Sequence, residues 1–333
     1  MATNVNEAFN EFLRDYVRLA STSSDTAKNS KNTLISEIKK FPDDGKFLLL
    51  HPDVSIDYGS FSRKTKIRPL DDIDLMIVLH AEGNWRNQYS DYIEILVPDG
   101  ASRQLSLCSD GTNKLNSIKV INKFKEYLSK VSFYDKADIK RNQEAVTLNL
   151  KSYPWVFDIV PCFITAPLLD GTTFYLIPDG KGNWKATDPR IDKIRTIEIN
   201  SGQEVSVLDV IRIMKYWTKR PTMPTMKSYF LENLILNYYS SSVPSSKYID
   251  IEIPKILAQI YNNIHNSLND PKGFQGDINH LTYDERNSIQ AKAGKDYQLA
   301  NEARTFETDG KMKESIEKWG AIFGSEFPIY TGI

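Results

Sequence analysis

Apolar positions at the start of the chain recur at helical spacing. Phe9, Phe12, Leu13, Tyr16, Val17 and Ala20 form one stripe over residues 6–20. Ser21-Thr22-Ser23-Ser24-Asp25 interrupts the pattern, and Leu34, Ile35 and Ile38 resume it. Two long helices, or one broken one, are predicted. The period then shortens. Val54-Ser55-Ile56-Asp57-Tyr58 alternates, and Asp72-Ile73-Asp74-Leu75-Met76-Ile77-Val78-Leu79 is apolar and β-branched beyond its acids. Ala145-Val146-Thr147-Leu148-Asn149-Leu150 and Trp155-Val156-Phe157-Asp158-Ile159-Val160 read as two further strands. Residues 80–114 show no period and are expected to be irregular, whereas Leu115, Ile118, Val120, Ile121, Phe124, Tyr127 and Leu128 predict a helix over 115–130.

Turn residues gather at Asp179-Gly180-Lys181-Gly182-Asn183. After residue 204 the pattern is almost wholly helical. Leu208, Val210, Ile211, Ile213, Met214 and Trp217 make one helix, which Pro221 and Pro224 end. Leu231, Leu234 and Ile235 continue on the next, and 253–268 and 283–320 read as two more amphipathic helices. The reading is an α+β protein. An α/β half, residues 1–204, precedes an α-helical half, 205–333.

Composition narrows the function. The 333 residues are 41% hydrophobic and 26% charged, as expected of a globular chain, and the net charge of -1 supplies no general attraction to nucleic acid or membrane. Cys108 and Cys162 are too few for a disulfide framework or a cysteine-rich zinc site. No leader pattern opens the chain and no apolar run nears the roughly 20 residues of a bilayer span, so a cytoplasmic location is expected. His51, His80, His265 and His280 are scattered and show no metal-ligand spacing.

Asp72, Asp74 and Asp158 change the picture most. Each lies in an apolar stretch, and a buried carboxylate is costly without positive compensation. Residues i and i+2 of a strand face the same way, roughly 6–7 Å apart, so Asp72 and Asp74 project together. Two such acids can share magnesium ions, which prefer oxygen ligands, and Asp158 can add a third from a neighbouring strand. Gly59 lets the backbone approach phosphate oxygens, and Ser60 adds a hydroxyl and a backbone N–H. Each signal has a bland reading: Asp-x-Asp is common, and Gly-Ser alone says little. Together, in this order, they favour a nucleotide triphosphate site.

These residues resemble the DNA polymerase β-like nucleotidyltransferases, whose pattern is Gly-Ser, a spacer, an apolar-flanked Asp-x-Asp and a distant strand Asp. The run Gly59-Ser60-Phe61-Ser62-Arg63-Lys64-Thr65-Lys66-Ile67-Arg68-Pro69-Leu70-Asp71-Asp72-Ile73-Asp74-Leu75 is similar to the cGAS/DncV-like nucleotidyltransferases of the bacterial anti-phage systems called CBASS. Lys215-Tyr216-Trp217, Lys227-Ser228-Tyr229 and the tail from Ala303-Arg304 through Trp319 to Phe327-Pro328 extend the resemblance to about residues 8–328. Tyr58 departs from it, since Gln often precedes Gly-Ser in the family.

The resemblance implies a bilobed polymerase β-like fold, with a mixed sheet, flanking helices and an N-terminal spine helix in the core of residues 1–204 and a helical nucleotide-binding lobe in 205–333, and an enzyme that makes a cyclic di- or trinucleotide second messenger, with release of pyrophosphate. It implies Mg²⁺ at Asp72, Asp74 and Asp158, with Mn²⁺ as an alternative. It also implies triphosphate contacts from Gly59, Ser60, Lys215 and Ser228, and base stacking by Tyr229. The substrates are nucleoside triphosphates (ATP, GTP or pyrimidine nucleotides), and CBASS accessory proteins are candidate partners. By residue type alone Lys215 is a solvated charge and Tyr216 and Trp217 are core. Arg63 and Lys66 can neutralise phosphate or sit as surface charges.

Four other readings share much of this evidence. An enzyme modifying a tRNA or protein acceptor, or a linear oligonucleotide synthetase, has the same active-site residues. A non-catalytic nucleotide-binding module tends to lose one of the acids, and all three are present. An RNA-activated synthetase needs a basic surface. Lys28, Lys31, Lys39 and Lys40 are few and interleaved with Asp25 and Glu37, which argues against a nucleic-acid activator.

Overall fold

A computed structural model describes residues 2–221, 223–241 and 244–332. Helix α1 (Val5–Phe12) starts at Asn4, whose side chain accepts the Glu7 N–H, and runs on as one π-helical segment, Leu13–Val17. The chain breaks at Arg18, which is extended, and not at the serine-rich run, where α2 (Ser21–Lys39) begins. The hydroxyls of Thr26, Thr33 and Ser36 fold back onto carbonyls four residues earlier, so these polar groups are satisfied within the helix.

Strand β1 (Leu50–Asp57), the short turn of helix α3 (Gly59–Ser62) and β2 (Asp72–Leu79) follow. Residues 80–114 are not irregular. They contain β3 (Trp85–Gln88), β4 (Ile93–Leu96) and α4 (Ser102–Leu105). β3 is a largely exposed polar strand held by pairing with β4, so it shows no apolar alternation. α5 (Ser117–Leu128) is the expected helix, capped by Asn116. β5 (Asp138–Asn142) escapes the pattern for the same reason as β3, being mostly exposed, and pairs with β6 (Ala145–Asn149). β7 (Val156–Ile164) is the Asp158 strand. β8 (Tyr175–Pro178) and β9 (Trp184–Thr187) flank the 179–183 turn, where the Asp179 carboxylate accepts the N–H groups of Lys181 and Asn183.

Among the described residues six helices follow: α6 (Pro189–Ser201), α7 (Val207–Thr218), α8 (Ser228–Ser240), α9 (Ile249–Asn263), α10 (Tyr283–Thr308) and α11 (Met312–Phe323). α6 falls outside the expected helices; its Ile194 and Ile197 are more than half exposed, so no apolar stripe points inward to announce it. The single helix expected over 283–320 is two. A Thr282–Glu285 capping box starts α10, and Gly310, at φ +76°, turns the chain before α11.

The chain forms two compact units. The sheet unit is Ser21–Ser62 with Leu70–Arg190, and the helical unit is Met1–Ala20, Arg63–Pro69 and Ile191–Ile333. This division differs from the linear cut at 204. The N-terminal helix belongs with the helices because Phe9 packs edge-on against Trp319 at 4.9 Å and Phe327 at 5.1 Å. Residues 63–69 belong there as well, with Ile67 in that core.

The sheet unit is built on one mixed nine-stranded sheet, ordered β1-β2-β7-β8-β9-β4-β3, with β6 also on β7 and β5 on β6. β2 and β7 pair in parallel at its centre. Both strands alternate half-buried and buried positions at their starts and are then buried almost throughout. They are therefore covered on both faces except where they begin, and that is where the acids lie. Among the described residues no helix is long and apolar enough to cross a membrane.

Candidate active site

The acids are brought together by register. Asp74 on β2 pairs with Asp158 on β7, and Asp72 lies two residues upstream on the same face as Asp74. In-register partners of parallel strands share a face, so all three carboxylates stand on one side of the sheet. The row continues outward. Thr147 on β6 pairs with Asp158, and Lys140 on β5 pairs with Thr147. On the other side, Ile56 and Asp57 of β1 pair with Met76 and Leu75, which sets Tyr58 opposite Asp74 one step further on.

Each member has a physical place. Thr147 Oγ1 donates to Asp158 Oδ1 at 2.9 Å, so the carboxylate has a fixed partner. Tyr58 packs on the apolar cluster of Met76, Val78, Val160 and Cys162. Burial, then the nearby charges of Asp74 and Asp158, push its phenol well above its usual pKa, and it stays neutral. Lys140 at the end of the row is paired with Asp138 at 2.5 Å.

Gly59 closes on this row. Its φ is +75°, and a Cβ added there would lie 1.7 Å from Asp74 Oδ2. No other residue fits so close to the carboxylate. Ser60, next in α3, is half-buried. Gly59, Ser60, Asp72, Asp74 and Asp158 thus all belong to the sheet unit, with Gly59 packed on the carboxylate row.

Lys215, Ser228 and Tyr229 belong to the helical unit. Lys215 is not a solvated charge. It is 4% exposed, its ammonium is paired with Glu232, and it donates to the Thr65 carbonyl at 3.1 Å. Arg63 is not a surface charge either, since its Nε donates to Glu232 at 3.1 Å. Ser228 is exposed at the first turn of α8. The Tyr229 hydroxyl lies 2.8 Å from Asp192 and 2.9 Å from Asp270. Lys272 Nζ stands 4.1 Å and Arg63 Cζ 5.8 Å from the centre of its ring. Burial, then the charges of Asp192 and Asp270, push this phenol up as well.

A relative decides the family. A probable cyclic nucleotide synthase of Bacillus cereus (strain VD146) is 42% identical over 336 residues, covering 99% of both chains. The chain belongs to the cGAS/DncV-like nucleotidyltransferases. No family model matches it. Among solved structures of this family's fold, Escherichia coli MS115-1 CdnC with ATP superposes with a TM-score of 0.70 at 16% identity, over 97% of this chain and 98% of CdnC. CdnC in its complex with HORMA-deltaN gives 0.69 at 16% identity, with the same coverage. Vibrio cholerae DncV, a cyclic AMP-GMP synthase and prokaryotic cGAS homolog, gives 0.64 at 12% identity, over 99% of this chain and 97% of DncV. The shared fold is the mixed sheet with flanking helices and a C-terminal helical segment.

The donor set suits a hard divalent cation: three carboxylates on one face, on adjacent strands. As the side chains stand, no three His, Cys, Asp or Glu groups among the described residues converge on one ion position. Asp158 is turned to Thr147. Like charges on neighbouring strands repel, and a cation reverses the sign of that interaction. The backbone register places the three acids on one face, as a shared ion requires.

Proposed function

We propose that this chain joins nucleoside triphosphates into a cyclic di- or trinucleotide and releases pyrophosphate, as a signal in anti-phage defence. Family membership supports the reaction class. The single structural observation that carries the reading is the Asp74–Asp158 register with Asp72 on the same face.

Asp72, Asp74 and Asp158 would hold the divalent ions, Mg²⁺ or Mn²⁺. When bound, such ions neutralise the triphosphate and lower the pKa of a coordinated hydroxyl. The chain's own groups bind and orient. Asp158, steadied by Thr147, serves the attacking ribose hydroxyl. Gly59 leaves room for the Asp74 carboxylate and lets the backbone approach phosphate, and Ser60 supplies its hydroxyl and N–H. Lys215 and Ser228 contact the triphosphate, and Tyr229, its hydroxyl held by Asp192 and Asp270, stacks on a base. Holding two nucleotides in line and neutralising their charge supplies most of the rate. An accessory protein as partner is the reading that the CdnC:HORMA-deltaN complex suggests.

The test is incubation of the purified chain with all four nucleoside triphosphates and Mg²⁺ or Mn²⁺, with products resolved by mass spectrometry. The expected result is pyrophosphate and a phosphatase-resistant cyclic product. A phosphatase-sensitive linear product, or none, overturns the reading.

Gly59→Ala gives a second check. The new methyl collides with the Asp74 carboxylate, and φ +75° is unfavourable for alanine. Turnover is expected to fall at least about 100-fold, which corresponds to roughly 2.7 kcal/mol. An alanine variant within threefold of the parent rate contradicts the close approach.

A further inference from the structure

Glu232 is among the most deeply buried charged groups in the helical unit, at 1% exposure, and the site as read so far leaves it without a role. It lies inside the run Leu231-Glu232-Asn233-Leu234 on α8. One carboxylate there meets two cations. Arg63 Nε donates to Oε2 at 3.1 Å, Thr65 Oγ1 donates to the same oxygen at 3.0 Å, and the Lys215 ammonium pairs with Oε1. Lys215 also donates to the Thr65 carbonyl at 3.1 Å. The side chains of Lys215 and Arg63 are only 5% and 11% exposed.

Arg63 and Thr65 belong to the segment Arg63–Pro69, which Ser60 precedes and Asp72 follows in the chain. That segment is the middle of the spacer of the Gly-Ser and Asp-x-Asp pattern. Its far end is also pinned: Arg68 donates to the carbonyls of Asp15 at 2.6 Å and Arg14 at 3.0 Å. Its near end is held by Glu232, through Arg63 and Thr65.

We propose that Glu232 is a positioning residue for triphosphate binding, which orients Lys215 and fixes the Arg63–Thr65 end of the spacer. The inference rests on the reading of Lys215 as a triphosphate contact. A lone ammonium at this depth would shed its proton, because charge is disfavoured away from water. Burial does push Lys215 below its usual pKa, with Arg63 and Lys66 adding to that, and Glu232 works against it. Burial raises Glu232 in turn, but Arg63 and Lys215 outweigh it and keep the carboxylate ionised. Without that anion Arg63 and Lys215 lose their shared partner, and the Lys215 ammonium is left to its Thr65 contacts while burial favours its neutral form.

The experiment measures binding of inorganic tripolyphosphate with Mg²⁺ by titration calorimetry, a probe independent of the base. The full chain is compared with Glu232→Gln, Glu232→Asp, Lys215→Met and Glu232→Gln/Lys215→Met. The double variant keeps the cluster's net charge, so it folds if the charge imbalance of Glu232→Gln proves too great. Glu232→Gln and Lys215→Met are each expected to raise Kd about tenfold or more, and Glu232→Asp to recover most of the loss. The double variant should be no weaker than Lys215→Met by more than about twofold, because the two residues act through one contact.

Glu232→Gln that lowers the melting temperature but leaves Kd unchanged overturns the proposal, as does a Kd for the double variant that multiplies the two single effects. Lys215→Met that binds as the parent does also overturns it. Pyrophosphate release from nucleoside triphosphates is followed in parallel. Release without tripolyphosphate binding overturns the inference alone, whereas loss of both in the unmodified chain overturns the nucleotidyltransferase reading as well.

Discussion

Replacing Asp74 with Asn is expected to abolish nucleotidyl transfer while leaving the fold as stable as before, or more so. Asp74 stands in the middle of the row, beside Asp158 in register and two residues from Asp72. Losing one carboxylate from a two-ion site removes several kcal/mol of charge stabilisation from the reacting phosphate, so turnover should drop by roughly 10³-fold or more. Asp72→Asn and Asp158→Asn should do the same. The stability half of the expectation has the opposite sign. Asp74 and Asp158 sit on adjacent strands about 4.8 Å apart, and without a cation their charges repel. An amide of the same shape relieves that repulsion, so the melting temperature measured without divalent ions should hold or rise. With Mg²⁺ added, the parent should gain stability and the Asn variants little. A variant that loses activity and melts several degrees lower has simply unfolded, and one that keeps full activity removes Asp74 from the mechanism.

Trp319→Ala is expected to give the largest loss of stability. Trp319 on α11 is fully buried against Phe9 of α1 and Phe323 of α11. Its indole Nε1 has no hydrogen-bond partner among the described residues, so the loss is packing alone. Removing a core tryptophan costs about 3–5 kcal/mol. For a unit of this size that corresponds to a fall of about 10 °C or more in melting temperature, readable by calorimetry. Trp319→Phe keeps an aromatic ring against Phe9 and should recover more than half of it. A fall within about 2 °C for the alanine variant would mean that α1 and α11 do not share a core.

The acids were legible in the sequence because each interrupts an apolar run, and an ionised group in such a run is too costly to be incidental. Gly59-Ser60 was legible from its place ahead of Asp72. The partners of the acids were not. Thr147 is one polar residue in an alternating strand, and nothing local says that it faces Asp158. Tyr58 stood out as a departure from the family pattern, but its place opposite Asp74 follows from strand pairing. Lys215 was found by resemblance, and its pairing with Glu232 and Thr65 was not. The signal that could have found Glu232 is the one that found the acids, a charge inside an apolar helical run. Polar edge strands such as β5 left no signal at all, because their stability comes from pairing and not from burial.

The sequence by itself determined where the chain alternates at strand spacing, where it repeats at helical spacing and which strands carry acids. Those are properties of single segments, set by side-chain period and local hydrogen bonding. Only the tertiary structure decided that Tyr58, Asp74, Asp158 and Thr147 stand in one row. A one-residue slip between β2 and β7 would turn Asp158 to the opposite face, and that register is fixed by the packing of the whole sheet. It also decided that Arg63–Pro69, between Ser60 and Asp72, belongs to the helical unit, because the anion that holds Arg63 and Thr65 lies far along the chain on α8.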